Sequence, residues 1–300
     1  MISRSASGLE DRSGYDLDAN IFPDGGLRSG ELVEIVGESN SGKSLLLLEL
    51  IARAILPANC GGLGLAVVLL DCENSYHGPF LLSVMEKHIL NQAEPTVAST
   101  LADPQRLQAI QRAALERLHL ITCYSLEQFD FSLLALPSLF VKHPDVTFVL
   151  IDSIATFYWT KCTPANLIRQ ETYHGAHCKT LRKVAREWGK PVLFTKPAHF
   201  GSRQQQQQQQ QQRDFEMTGL QEGLTQMSSF SGVNPASANA TNAGTIIDHR
   251  IELCEIDSPS PRSASGDVRE QRFTAFVSTR EKQYVRFYLI DKFGFNWIES

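Results

Sequence analysis

GESNSGKS, residues Gly37–Ser44, decides how this chain folds. It lies between an apolar stretch, Glu31–Val36, and the leucine-rich run LLLLELIARAIL, which Pro57 and the Asn and Gly residues after it bring to a stop. Strand, glycine-hinged loop and helix in that order make a P-loop, in which backbone N–H groups converge on phosphate oxygens and the helix presents its positive end. Gly37 and Gly42 permit the turn, so Gly37, Glu38, Ser39, Asn40, Ser41, Gly42, Lys43 and Ser44 are the candidate ATP-binding residues. Lys43 is expected to bridge the β- and γ-phosphates, and the Ser44 hydroxyl to take one position on Mg²⁺.

Working outward, the same alternation repeats. LAVVLLD follows the GGLG turn as a second strand, with helical spacing over Pro79–Leu90 and Pro104–Leu118 after it. Leu118–Cys123, Val146–Asp152 and Pro191–Thr195 read as further strands, the first two flanking a helix over Leu126–Phe140. Continuous apolar strands separated by helices imply a mostly parallel sheet covered on both faces. After a low-complexity stretch, IIDHRIELCEI, RFTAFVSTR and YVRFYLID read as strands that extend the sheet in an antiparallel manner. The fold class expected is therefore α/β: a P-loop core with a mostly parallel central sheet flanked by helices and with C-terminal antiparallel strands. Four segments follow: a flexible arm over 1–20, the core over 21–197, a glutamine-rich loop over 198–246, and strands over 247–300 completing the same domain. The loop carries nine consecutive glutamines, Gln204–Gln212, and its composition buries too little apolar surface to order itself.

Phosphate chemistry needs carboxylates at the ends of the neighbouring strands. FVLIDS supplies Asp152 for the magnesium shell, beside Ser44, and LLDCEN supplies Glu73 as the base that orients an attacking water. Asp71 competes with Glu73 for that role, and either serves equally as a polar strand end.

Composition narrows the partners. The chain has 300 residues, 42% of them apolar, and a net charge of -5, which excludes a globally basic nucleic-acid binder and leaves room for a local basic loop. Six cysteines without CxxC spacing, and no signal-like start, point to reduced thiols in the cytosol or nucleus and no disulfides. Leu63–Leu70, the longest apolar run, is too short to span a bilayer, so no membrane is expected. Lys179, Arg182, Lys183 and Arg186 form a basic stripe on a helix around Gln170–Trp188, which reads as a solvated face or a docking stripe. Cys162, His174, His177 and Cys178 match no common zinc spacing. Tyr158 and Trp159 either seal the domain or stack on a base.

The succession GELVEIVGESNSGKSLLLLEL, ARAILPANCGGLGLAVVLLDCEN and FVLIDSIATFYW resembles the ATPase core of the eukaryotic RecA-like recombinases, within them the paralogs. The resemblance covers roughly 22–195 and is absent from the glutamine segment. It implies a RecA-like core that binds ATP and Mg²⁺, with Glu73 at the catalytic glutamate position and Asp152 at the magnesium-linked aspartate. It also implies a nuclear role in homologous-recombination repair, as a slow DNA-dependent ATPase in a hetero-oligomer with another paralog, D-type by analogy. A non-hydrolysing scaffold subunit is the alternative, with a P-loop small-molecule kinase behind it. Single-stranded or branched DNA is the implied ligand of the loops after Asp152 and Thr195, with Lys196, Arg203 and Arg213 as candidate contacts. Strand-exchange members end the last core strand with Thr, Asn and Gln, whose amides sense the γ-phosphate; here the triplet is Thr195, Lys196, Pro197. Proline has no N–H and cannot relay a hydrogen bond. No Phe-x-x-Ala docking sequence lies before Glu31, so long self-filaments are not expected.

Overall fold

The computed structural model describes residues 14–92, 103–162, 167–201, 246–256, 272–279, 281–292 and 294–298. Among them nine strands form one sheet: β1 Leu32–Gly37, β2 Ala66–Asp71, β3 Leu118–Thr122, β4 Val146–Asp152, β5 Val192–Pro197, β6 His249–Glu255, β7 Arg272–Ser278, β8 Gln283–Asp291 and β9 Gly294–Ile298. The helices are α1 Lys43–Ile55, α2 Gly78–Gln92, α3 Pro104–Leu115, α4 Leu126–Lys142, α5 Tyr158–Lys161 and α6 Gln170–Trp188. Spatial order is β3-β2-β4-β5-β1-β6-β7-β8-β9. Pairing is parallel from β3 to β6 and antiparallel from β6 to β9.

β1, β2, β4 and β5 are largely apolar and buried because both sheet faces are covered there, with alternate residues going to opposite sides. Val33 and Ile35 pack into one core with α1 and α2, while Leu32 joins a second core with α4 and α6. From β1 the chain passes through α1 and crosses β5 and β4 to reach β2, so strands on both sides of β1 send their carboxyl ends to one edge. In open α/β sheets that edge is where ligands bind.

Three expectations change. The first C-terminal strand, β6, enters parallel to β1, with Ile35 opposite Ile251; only β7–β9 are antiparallel. A further strand, β9, follows YVRFYLID after a turn around Gly294. The expected loose arm is packed from Gly14 onward. Tyr15 and Leu27 exchange backbone bonds at 2.7 and 2.9 Å, Leu17 is 2% exposed, and Asp18 accepts from the Trp297 indole at 2.8 Å. Burying these side chains offsets the entropy of ordering them. Among the described residues, no helix is long and apolar enough to cross a membrane.

Candidate functional site

β1 ends at Gly37, where the chain has no space for a side chain. A Cβ would lie 2.2 Å from Ser41 Oγ and 2.8 Å from the Leu253 carbonyl oxygen. The turn closes through positive φ at Asn40 (65°) and Gly42 (88°), and α1 begins at Lys43. The first N–H groups of any helix lack intrahelical partners and point outward. Tyr288 Oη donates to the Ser41 carbonyl at 2.7 Å and fixes the loop to β8. Ser41 Oγ itself is buried with no partner among the described residues. Lys43 Nζ donates to the carbonyls of Gly37 (3.0 Å) and Glu38 (2.8 Å). Burial lowers its pKa, and the charges of Asp152, Glu38 and Glu73 oppose that shift. The cradle thus combines a side-chain-free approach, outward amides and a lysine, a donor set that fits phosphate.

Asp152 ends β4 beside it. It is 5% exposed and accepts from Thr195 Oγ1 at 2.5 Å and from Ser75 Oγ at 2.9 Å. Ser44, Asp71, Ser75, Tyr76 and Asp152 line the polar side of one small cavity between α1 and the ends of β2 and β4, whose other wall is Leu47, Leu48, Ile51 and Leu69. A hydroxyl and a carboxylate around one cavity form a hard oxygen site suited to Mg²⁺.

The two candidate bases separate. Both oxygens of Asp71 accept backbone N–H groups, from Ser75 at 3.1 Å and Tyr76 at 3.2 Å, so Asp71 closes the turn after β2. Glu73 is exposed, and its carboxylate accepts from Thr156 Oγ1 at 2.5 Å. The amides of Cys72 and Glu73 both donate to the Asp152 carbonyl, at 2.6 and 3.0 Å, which ties the ends of β2 and β4 together.

Lys196 is a correction. It is 2% exposed, donates to the Phe200 carbonyl at 2.6 Å and pairs with Glu34 at 3.6 Å, so it does not reach DNA. Glu34, on β1, is 1% exposed and also holds His174 Nε2 at 2.7 Å and the Arg250 guanidinium. Burial would raise its pKa, but the His174 hydrogen bond and the charges of Lys196 and Arg250 outweigh that and hold it at about 2. A glutamate inside the apolar run LVEIVG was the sequence signal for this network, since a buried charge needs partners.

The basic stripe on α6 is also divided. Arg182 turns inward to Asp248 and the Ile246 carbonyl, while Lys183 is exposed beside Glu187 at 3.8 Å. His174 faces Glu34 with Cys178 Sγ 3.3 Å from its Nε2, whereas His177 Nδ1 donates to the Tyr173 carbonyl at 2.9 Å and Cys162 lies 3.7 Å from the Ile168 carbonyl, so among the described residues no three of the four come together. Tyr158 seals the domain by donating to the Ile168 carbonyl at 2.6 Å, whereas Trp159 is 72% exposed.

Of the expected glutamine-rich loop, residues 198–201 and Ile246 are described. Ala198 N donates to the Gly37 carbonyl at 3.1 Å, His199 Nε2 lies 2.8 Å from Glu38 Oε1, and Phe200 is buried against Tyr158 and Tyr173. Pro197 supplies no N–H here, and the neighbouring amide contacts the P-loop instead. Arg203 and Arg213 lie outside the described residues. The sequence reading missed the roles of Thr156 and Ser75, because a hydroxyl near a carboxylate in space leaves no periodic signal.

A family model described as Rad51 matches residues 13–212. The DNA repair protein XRCC2 of Mus musculus is 30% identical over 153 residues, 50% of this chain and 50% of that protein. The DNA repair protein RAD51 homolog 2 of Mus musculus is 27% identical over 179 residues, 57% of this chain and 46% of that protein. The chain thus spans about half the length of these relatives. Among solved structures, the RadB recombinase superposes with a TM-score of 0.56 at 18% identity, covering 94% of this chain and 96% of that one, a likeness of fold.

Proposed function

Because the chain belongs to the Rad51 family, we propose that it is an ATP-binding paralog acting in homologous-recombination repair of DNA double-strand breaks. It works as a subunit of a hetero-oligomer with another paralog, D-type by analogy, in the nucleus. The observation that carries this reading is the convergence of Lys43, Ser44 and Asp152 at the carboxyl ends of β1 and β4.

The amides of the 37–44 loop would hold the phosphates, and Lys43, which here donates to the carbonyls of Gly37 and Glu38, would supply its charge to phosphate oxygens. Ser44 and Asp152 would hold Mg²⁺, which would neutralise charge on the phosphates. Glu73 takes a proton from water, and the Thr156 hydroxyl orients its carboxylate. Arg203 and Arg213 are the proposed phosphate contacts to single-stranded or branched DNA, and Trp159 offers a face on which a base can stack.

A second reading, a non-hydrolysing scaffold subunit, is favoured by one observation: Pro197 cannot donate, and Lys196 beside it is consumed by Glu34. Co-purification from cells, followed by ATPase assay of the intact assembly, separates the two. The enzyme reading expects Lys43→Ala to abolish the activity and weaken partner retention. Unchanged repair and unchanged partner binding in that variant would leave only the scaffold.

A further inference from the structure

β2 and β3 run parallel with Asp71 opposite Thr122, so the next residues, Cys72 and Cys123, face each other just past the strand ends. The Cys123 amide donates to the Asp71 carbonyl at 2.9 Å, which keeps the ladder closed up to this step. Adjacent strands lie about 4.8 Å apart, within the roughly 4.4–6.8 Å Cα separation that a disulfide spans. Both are free thiols, 2% and 0% exposed, in the same core. Ser132 Oγ lies 3.6 Å from Cys123 Sγ, and the neighbouring Cys72 thiol holds the Cys123 pKa below that of a free thiol against the opposing effect of burial. The thiolate is the reactive form of cysteine. Beside the pair, Tyr173 Oη is buried with no hydrogen-bond partner among the described residues, and Cys72 is close enough to act on it electrostatically.

We propose that Cys72 and Cys123 are a redox modification site, at which hydrogen peroxide forms a disulfide that ties the end of β2, directly before Glu73, to the end of β3. Burial excludes bulky disulfide reagents and selects a small oxidant. Cys123 sulfur attacks one peroxide oxygen; the O–O bond breaks, and the departing hydroxide takes up a proton to leave as water. Cys72 sulfur then attacks the sulfenic sulfur of Cys123. The S–S bond forms as the S–O bond breaks, and the hydroxide leaves as water with the Cys72 proton. One peroxide is reduced and both thiols are oxidised. Because the amides of Cys72 and Glu73 both hang on the Asp152 carbonyl, the cross-link restrains the segment that carries Glu73.

The test treats the folded 300-residue chain with hydrogen peroxide, blocks remaining thiols with iodoacetamide and maps the digest by mass spectrometry without reductant. A peptide joining Cys72 to Cys123, two hydrogens lighter than its parts and released by dithiothreitol, is expected. It should be absent from Cys72→Ser and from Cys123→Ser. Recovery of both residues alkylated, or of Cys123 as a separate sulfinic acid, at peroxide levels that oxidise the half-buried Cys162 and Cys254, overturns the proposal. So does a disulfide from Cys123 to any other cysteine.

Discussion

Gly37 and Glu34 sit three positions apart on β1 and carry different constraints. At Gly37 a methyl group would collide with Ser41 Oγ and the Leu253 carbonyl, and the carbonyl is backbone that cannot swing away. Gly37→Ala is therefore predicted to cost about 1–3 kcal/mol, read as a lower urea midpoint; an unchanged midpoint would mean that the loop has slack. Glu34 is held at about 2 against 4.5 for a free glutamate. A depressed carboxylate contributes stability that is present above pH 4.5 and lost as the pH falls toward 2, because the unfolded chain binds the proton first. Urea midpoints should fall through that window, and the slope should flatten in Glu34→Gln; equal slopes would remove Glu34 from the account. At this scale the sequence told position but not exposure. The places of Lys43 and Ser44 at the start of α1 were legible from the P-loop spacing, and that of Asp152 from the apolar run that it ends. Lys196 was misread as a surface contact because its burial depends on Glu34, 162 residues earlier, coming to lie beneath it.

The elements followed from apolar continuity. β1, β2, β4 and β5 are buried on both faces, and an unbroken apolar run between loops reads as such a strand. Strand direction was not legible for β6, since an apolar run has no arrow, and its parallel entry beside β1 depends on the route of the preceding connection. β9 escaped because Gly294 and Asn296 interrupt the apolar character of its short run, GFNWI. α6 is fastened to the start of this C-terminal unit by Arg182, which pairs with Asp248 while Asp248 Oδ2 accepts the Leu32 amide at 2.8 Å. Removing one member of a buried pair strands the other, so Arg182→Ala is predicted to cost about 3–5 kcal/mol. Denaturant unfolding checks it, and a loss under about 1 kcal/mol would mean that the pair behaves like a surface ion pair.

For the whole molecule, the sheet order brings Gly37, Asp71, Asp152 and Thr195 to one edge, from strands far apart in the chain. With a net charge of -5, attraction to nucleic acid has to be local. Binding of labelled single-stranded DNA is predicted to weaken as salt rises, and to weaken further when residues 202–245, which carry Arg203 and Arg213, are removed. Equal binding after that deletion would withdraw both arginines as contacts. The central claim, an ATP and magnesium site built by Lys43, Ser44 and Asp152, is tested most directly by titrating a fluorescent ATP analogue into the purified chain with and without Mg²⁺. Saturable, magnesium-dependent binding is predicted, weakened roughly 10- to 150-fold in Lys43→Ala by the loss of a charge-assisted contact, and losing its magnesium dependence in Asp152→Asn. Binding of equal affinity in all three proteins, or no binding to the wild-type chain, would contradict it.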